Sequence, residues 1–415
     1  MLSPNFLLLL SLSTLGYSAP QASSNVVSVP QQYTYLLPNG FQGNTNYTFV
    51  NGTHTSSSEV NSILTAAKKA PIISYDQSFL DIVGSDPEIH LVEERSTDDF
   101  AYEMGVWVPE RNEVWFTSAV EQGRVIAPTL YALNLATNKV SKVQASQDII
   151  NANGGYYFEG KVFIATYPNN ASYSGGVISV DVNTLQVETV LNSYFGLRYN
   201  GVDDIVWATD SASGCSYMYF TDLDFAYLGY DNLPPLQLPA NVYRWDPQTQ
   251  VVLPVIGRSD VNPNGVRVSP DMKTLYVTDS TATFAGPGPY SPGSGPSDTF
   301  WLGPYIYAYD LDSHMMPVNR RVFGMARQGI ADGIHVDDAG NVYTGEWEGV
   351  VVRNSAGKTI GVFNSQYFQA DKHADALALA NFALAGDALV VLSTTRLWTV
   401  KLAKTVVASD SPIVN

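Results

Sequence analysis

Short strands with apolar and aromatic positions recur along most of this chain. Each has an apolar–aromatic–apolar pattern that ends in a polar residue, and the segments between are rich in Gly, Pro, Asn and Asp. Aromatic and β-branched residues bounded by turn formers are typical of strands. Long 3.6-residue periodicity is confined to the first 69 residues. The pattern therefore predicts an all-β protein.

Two types of strand alternate, and each type occurs six times. The first type comprises residues 114–118, 162–166, 218–222, 275–279, 342–346 and 389–393. The second comprises residues 130–134, 177–181, 242–246, 306–310, 350–354 and 397–401. The first and last members of the second type start 267 residues apart, a mean repeat of about 53 over five intervals. A repeat near 50 residues that contains several strands indicates a six-bladed β-propeller.

An oxygen-bearing side chain opens the strand that begins each repeat. Asn264 and Asp332, 68 residues apart, hold the same place in two copies of one motif, in which a glycine, a short apolar strand and a turn follow. Because the first strands of propeller blades surround the axis, we expect such side chains to converge there. Asn-Gly and Asp-Gly are also ordinary turn pairs, which would account for some of them. The equivalent residues of the other repeats are Glu103, Asn153, Asp203 with its neighbour Asp204, and His373 with Asp375.

Four of these residues form a ligand set that contains only oxygen: Glu103, Asp203, Asn264 and Asp332. Such a set suits Ca²⁺ and could also take Mg²⁺ or Mn²⁺. Zinc is unlikely because the set has no nitrogen or sulfur donor. We therefore predict a single metal site at the central channel, where a cation would polarise a substrate carbonyl. The residues predicted to line the substrate pocket are Asn153, Asp204, His373 and Asp375.

The composition excludes some classes of function. A net charge of −17 leaves no basic surplus to neutralise phosphates, so we expect no nucleic-acid partner. Cys215 is the only cysteine, which rules out an internal disulfide and a thiolate metal cluster. No Gly-x-Ser-x-Gly motif is present, so a serine hydrolase is disfavoured.

The chain divides into four predicted segments. Residues 1–18 have the short apolar core of a secretory signal peptide, and no other apolar run reaches membrane length, so we expect a secreted, extracellular protein without membrane contact. Residues 19–71 are predicted to be an extended polar leader, and deleting residues 21–70 should leave folding nearly intact. Residues 72–405 are predicted to form the propeller, and residues 406–415 a C-terminal tail. Residues 88–93 should add the outermost strand to the last blade.

Possible glycosylation sites are Asn46, Asn51 and Asn170.

The chain resembles a known family in the order of its polar motifs. Glu103 in Tyr-Glu-Met-Gly-Val-Trp, residues 200–206, Asn264-Gly and Asp332-Gly resemble the gluconolactonase/regucalcin (SMP-30-like) superfamily, and most closely its secreted fungal lactonohydrolases. The resemblance covers roughly residues 72–401. It implies a six-bladed propeller in which a Glu, two Asn and an Asp bind one divalent cation above the central channel.

Asp203 stands where the resemblance implies a metal-binding Asn. Because like charges at close range raise a carboxyl pKa, Asp203 is a candidate for the base that accepts a proton from water. The same departure could mark a changed substrate or a loss of activity. If Asp203 is only a ligand, Asp332 becomes the candidate base.

The sequence therefore predicts a calcium-dependent hydrolase that opens a small-molecule lactone with metal-activated water and acts as a monomer. One alternative is an arylesterase or phosphotriesterase-like hydrolase on the same metal. The other is a non-catalytic, ligand-binding propeller in which calcium is structural.

Overall fold

Six sheets follow one another along the chain and form the blades of a β-propeller. The computed structural model describes residues 25–44, 47–96, 98–119, 129–169, 173–229, 233, 235–281, 304–369 and 379–406. The first strand of each blade packs against the first strands of its neighbours, and that of blade six packs against that of blade one. The predicted all-β, six-bladed fold is confirmed.

Six elements precede the first blade. They are β1 (Val26–Ser28), α1 (Phe49–Gly52), α2 (Ser58–Lys69), β2 (Ile72–Ser74), α3 (Gln77–Val83) and β3 (Ile89–Glu94). A turn of 3₁₀-helix, Gln31–Thr34, lies between β1 and α1.

The first three blades each contain four antiparallel strands. Blade one contains β4 (Glu103–Val108), β5 (Glu113–Thr117), β6 (Leu130–Asn134) and β7 (Lys139–Lys142). Blade two contains β8 (Ala152–Phe158), β9 (Lys161–Thr166), β10 (Gly176–Asp181) and β11 (Val187–Leu191). Blade three contains β12 (Val202–Thr209), β13 (Ser216–Asp222), β14 (Asn241–Asp246) and β15 (Val251–Gly257), with α4 (Ala226–Gly229) between β13 and β14.

The last three blades repeat this order, and two of them take in strands from before blade one. Blade four contains β16 (Pro263–Val268), β17 (Thr274–Asp279), β18 (Tyr305–Leu311) and β19 (Pro317–Met325). Blade five contains β20 (Ile334–Val336), β21 (Val342–Glu346), β22 (Gly349–Arg353) and β23 (Thr359–Asn364), followed by α5 (Ser365–Phe368). Blade six contains β24 (Asn381–Ala385), β25 (Ala388–Ser393) and β26 (Arg396–Lys401).

The hydrophobic core lies between neighbouring blades. Phe158 of blade two stacks on Trp207 of blade three, with ring centroids 4.5 Å apart. The first strands are buried on both faces, as every residue of β16 shows, whereas most residues of the outermost strand β19 are exposed.

Blade six is completed by β3, from before the first blade. The backbone of β3 pairs antiparallel with that of β26, with Leu91 opposite Trp398 and Glu93 opposite Leu397. This pairing covers an edge that would otherwise be open. The predicted closure of the propeller by residues 88–93 is confirmed.

The part of the predicted leader that the structure describes, residues 25–44 and 47–71, is folded rather than extended, and its dispensability stays a prediction. Strand β1 pairs in parallel with β2, and β2 pairs with β23, so blade five has six strands. Helix α2 buries Val60, Leu64 and Ala67 against Val351 and Val362 of that blade. Removing this segment would expose these apolar side chains to water, which costs stability.

Candidate active site

Six polar residues open the first strands of the six blades, and together we call them the axial ring. Carboxylates from blades one, three and five alternate with amides from blades two, four and six. Five of the six side chains are buried and Asn153 is partly buried. In blade order the axial ring consists of Glu103, Asn153, Asp203, Asn264, Asp332 and Asn381.

Two amides of the axial ring donate to the carboxylate of the next blade. Asn153 Nδ2 donates to Asp203 Oδ1 at 2.6 Å. Asn381 Nδ2 donates to Glu103 Oε2 at 2.9 Å, across the seam where blade six meets blade one. Asn264 Nδ2 donates instead to Ser280 Oγ at 3.0 Å, and the Asn264 amide acts to lower the pKa of Asp332 in the next blade. The two pairs link blade two to blade three and blade six to blade one.

Threonine hydroxyls on the second strands fix the backbone of three members of the axial ring. Thr117 donates to the carbonyl of Asn153 at 3.3 Å, Thr221 to that of Asn264 at 2.6 Å, and Thr278 to that of Asp332 at 3.0 Å. In every case the acceptor lies in the next blade. The spacing between blades therefore sets the spacing between the ring side chains.

Close approach between blades explains the glycines that follow ring residues. A Cβ on Gly154 would lie 2.1 Å from the carbonyl oxygen of Asp203, and one on Gly265 would lie 2.6 Å from that of Asp332. No side chain fits at these distances. The Asn-Gly pairs of the repeat therefore reflect contact between blades, and the alternative interpretation as turn pairs is wrong for these two.

When they are ionised, the carboxylates of the axial ring carry negative charge that no cation among the described residues balances. Among the described residues, none of Glu103, Asp203 and Asp332 has an ion-pair partner. Burial, followed by the charges of Asp332 and Asp203, raises the pKa of Glu103 well above its ordinary value. Burial and the Asp332 charge do the same to the pKa of Asp203, and burial raises that of Asp332 to about 7. An arrangement of this kind attracts a cation.

Tyr167 is a further member of the site. Its hydroxyl donates a hydrogen bond to Asp203 Oδ1, the same oxygen that accepts from Asn153. Burial and the Asp203 carboxylate raise the Tyr167 pKa well above its usual range, so the phenol keeps its proton. The two donors hold the Asp203 side chain in one orientation and leave its Oδ2 for other partners.

Asp204 does not join the site, although it was predicted to line the substrate pocket. Its Oδ2 accepts from Arg267 Nη1 at 2.7 Å and from the backbone N–H of Val266 at 2.9 Å. Both side chains of this ion pair are buried. The pair ties β12 to β16, so Asp204 stabilises the contact between blades three and four.

The other predicted residues are placed as follows. Asn153 lies in the axial ring. His373 and Asp375, and the glycosylation sites Asn46 and Asn170, lie outside the described residues. Asn51 lies in α1 and is partly buried, and its glycosylation stays a prediction.

Sequence reasoning missed Asn381, Tyr167 and Arg267. Asn381 is followed by Phe382 rather than glycine, so it lacks the motif that marks Asn264. Tyr167 follows the end of β9, where nothing local distinguishes it from other tyrosines. Only the position of Asn381 as the first residue of a sixth equivalent strand could have identified it.

The residues present suit a hard cation. In the part of the chain that the structure describes, no group of three Asp, Glu, His or Cys side chains is arranged to hold a metal ion. The axial ring does offer carboxylate and amide oxygens, which are the donor types that calcium prefers.

Within the described ranges, no helix combines the length and apolar character that crossing a bilayer requires. No protein-family model matches the chain.

Similarity to curated proteins connects the chain with lactone chemistry. It is 29% identical to lactonohydrolase oryL of Aspergillus oryzae over 67% of this chain and 64% of that protein. It is 26% identical to lactonohydrolase oryH of the same organism over 82% of this chain and 83% of that protein. A gluconolactonase of Zymomonas mobilis is 26% identical over 50% of this chain and 52% of that protein. Lactonohydrolases and gluconolactonases are homologues of this chain. The predicted resemblance is confirmed.

Solved structures agree with the fold. A gluconolactonase of Xanthomonas campestris matches with a TM-score of 0.59 and 17% identity, over 79% of this chain and 93% of that one. A calcium-binding regucalcin of Agrobacterium tumefaciens matches with a TM-score of 0.50 and 16% identity, over 76% of this chain and 93% of that one. At these identities the likeness shows the propeller fold alone.

Proposed function

We propose that the axial ring holds one calcium ion through Glu103, Asp203, Asn264 and Asp332 and that the protein hydrolyses a lactone at this site. The observation that carries the proposal is the set of three buried carboxylates without a balancing protein cation among the described residues. Buried charge is costly unless it is paired or binds a metal. The lactonohydrolase homologues support the lactone as substrate, and the calcium-binding description of the regucalcin agrees with the choice of cation.

The bound cation would polarise the ester carbonyl and make water more acidic. The protein's own contribution is to hold and receive protons. Asp203 is oriented by Tyr167 and Asn153 through Oδ1, so its Oδ2 is placed to accept the proton of the attacking water. Asp332, whose pKa lies near 7, is the second candidate for this step. A proton held there is available for return to the leaving alkoxide, which becomes the hydroxyl of the ring-opened acid.

The proposal is tested by turnover of a substrate panel with and without a chelator. We expect hydrolysis of lactones to depend on one equivalent of calcium, and to return when calcium but not zinc is added back. Calcium at about 100 times its dissociation constant should also stabilise the fold by about 2.7 kcal/mol, visible as a higher melting temperature.

The same panel separates the alternatives. Faster turnover of aryl esters or phosphotriesters would favour the second hydrolase class. Calcium binding without turnover of any ester would indicate a ligand-binding propeller. An active preparation that contains stoichiometric zinc, or no metal at all, would contradict the calcium site.

We also infer that the protein is a secreted monomer. The acidic composition and the apolar segment at residues 7–15 support this inference. Culture-medium fractionation and light scattering of the purified protein test location and oligomeric state.

A further inference from the structure

Asn381 occupies the seam of the propeller, between blade one and blade five. It is the first residue of β24 and is buried. Its Nδ2 donates to Glu103 Oε2 at 2.9 Å, and its Oδ1 accepts from the backbone N–H of Phe382 at 2.8 Å. Because the backbone donor takes the carbonyl oxygen, the amide can only present N–H to Glu103.

Close packing holds this side chain in place. A Cβ on Gly333 would lie 2.6 Å from the Asn381 amide carbon and 2.7 Å from its oxygen and nitrogen. Gly333 directly follows Asp332 in the chain. The Asn381 amide therefore packs beside the backbone that carries Asp332, while it donates a hydrogen bond to Glu103. A side chain at position 333 would therefore collide with the Asn381 amide.

Blade two contains a counterpart of this contact, in which Asn153 donates to Asp203 of blade three. The Asn381–Glu103 bond is therefore the second example of an amide that orients the carboxylate of the next blade. Hydrogen bonds to ionised groups are stronger than neutral ones and fix geometry.

We propose that Asn381 is a positioning residue that sets the cation affinity of the site by orienting the Glu103 carboxylate. This inference rests on the proposed function in one respect, that the axial ring binds a divalent cation. Groups that hydrogen-bond to metal ligands typically contribute about 10–100-fold to metal affinity.

The test is titration calorimetry of Ca²⁺ alone into chelator-stripped, full-length protein. Asn381→Leu keeps the branching and the number of side-chain heavy atoms and removes the donor, and Asn381→Ala removes it without adding bulk should the leucine variant fail to fold. We expect about 10–100-fold weaker Ca²⁺ binding.

Asn364→Leu is the matched control. Asn364 is as deeply buried as Asn381, but its Nδ2 donates to the backbone carbonyls of Ala67, Lys68 and Ala70 on the outer side of blade five. This variant should lose stability and keep the parent's Ca²⁺ affinity.

A double-mutant cycle shows whether Asn381 acts through Glu103. In a Glu103→Gln background, Asn381→Leu should have little further effect on Ca²⁺ binding. An unchanged dissociation constant in the single variant, or an equal loss in both backgrounds, overturns the inference. These measurements use calcium and no lactone. A protein that binds calcium but hydrolyses no lactone would therefore contradict the proposed hydrolase activity without contradicting the role inferred for Asn381.

Discussion

Asp203 and Asp204 are neighbours in sequence and equally buried, with exposed fractions of 5% and 4%, yet the protein treats their charges differently. Asp204 is neutralised within the fold by the guanidinium of Arg267. Asp203 receives only neutral donors, from Tyr167 and Asn153, and faces the like charges of the axial ring. An aspartate carboxylate therefore stabilises the fold where the chain supplies a cation, as at Asp204. It stays available to bind a ligand or a proton where the chain supplies none, as at Asp203.

The largest expected effect is on turnover in Asp203→Asn. An amide oxygen is an adequate calcium ligand, so we expect the variant to retain the metal. An amide cannot accept the proton of the attacking water, and turnover should fall by about 10²–10⁴-fold. Steady-state rates on the lactone panel, together with metal analysis, measure both effects.

Asp332→Asn is the companion variant and should lose metal affinity as well as rate. If Asp203→Asn equals the parent on every lactone, Asp203 is only a ligand and Asp332 becomes the better candidate base. In that case Asp203 and Asp204 would differ only in whether a protein cation neutralises the carboxylate, and not in a role in proton transfer.

Arg267→Met should cause the largest loss of stability. Removing one partner of a buried ion pair leaves the other charge unpaired, which typically costs about 3–5 kcal/mol of unfolding free energy. Urea denaturation measures this. The matched control is Arg321→Met, because Arg321 forms an ion pair of similar length, 2.6 Å, with Asp310 on the exposed surface. Such pairs contribute about 0–1 kcal/mol.

Replacing both partners sharpens the test. Asp204→Leu combined with Arg267→Met removes both charges and should recover part of the lost stability. Equal losses in Arg267→Met and Arg321→Met would show that Asp204 is not neutralised in the way the contacts indicate.

A smaller effect is expected in the pH dependence of stability. Burial raises the Asp332 pKa from 3.8 to about 7 in the folded, cation-free protein. Between these values the folded protein holds a proton that the unfolded chain has released. The unfolding free energy should therefore fall as the pH rises through this window, by up to about 1.4 kcal/mol per pH unit for one proton.

Calcium should remove this slope, because the cation takes the place of the proton, and its stabilising effect should grow towards pH 7. Urea denaturation at several pH values, with chelator or with calcium, measures the difference. The control is Asp332→Asn. In this variant the only remaining dependence of the unfolding free energy on pH should come from other buried carboxyls such as Asp222, whose pKa burial raises to about 8. A calcium effect that is independent of pH would contradict the assignment.

The fold could be predicted because strands leave a local signal. Side chains alternate across a strand, and the apolar–aromatic pattern of strands such as β5 and β6 is visible without knowledge of their neighbours. Contacts between blades leave no such signal. The hydrogen bond from Asn381 to Glu103 and the ion pair of Asp204 with Arg267 join residues 278 and 63 positions apart.

The fold of the leader leaves no local signal for a related reason. Strand β1 has three residues and pairs with β2, which is distant in sequence, so the polar residues around β1 predict an extended tail. Conversely, five of the six ring positions could be predicted, because each of them, such as Asn264, shares its place in the repeat with the others. Blade six lacks the motif, so the sequence predicts His373 and Asp375 instead of Asn381 for the ring position of that blade.

The way the propeller closes has a consequence for the order in which the protein becomes functional. Glu94 and Arg396 are joined across 302 residues, and Asn381 reaches Glu103 across the same seam. Chains are made from the amino end, and contacts between distant residues form late in folding. A nascent chain that has completed five blades still lacks the partner that orients its first ring carboxylate. The newly made protein is therefore without a finished site until the first strand of blade six has been synthesised.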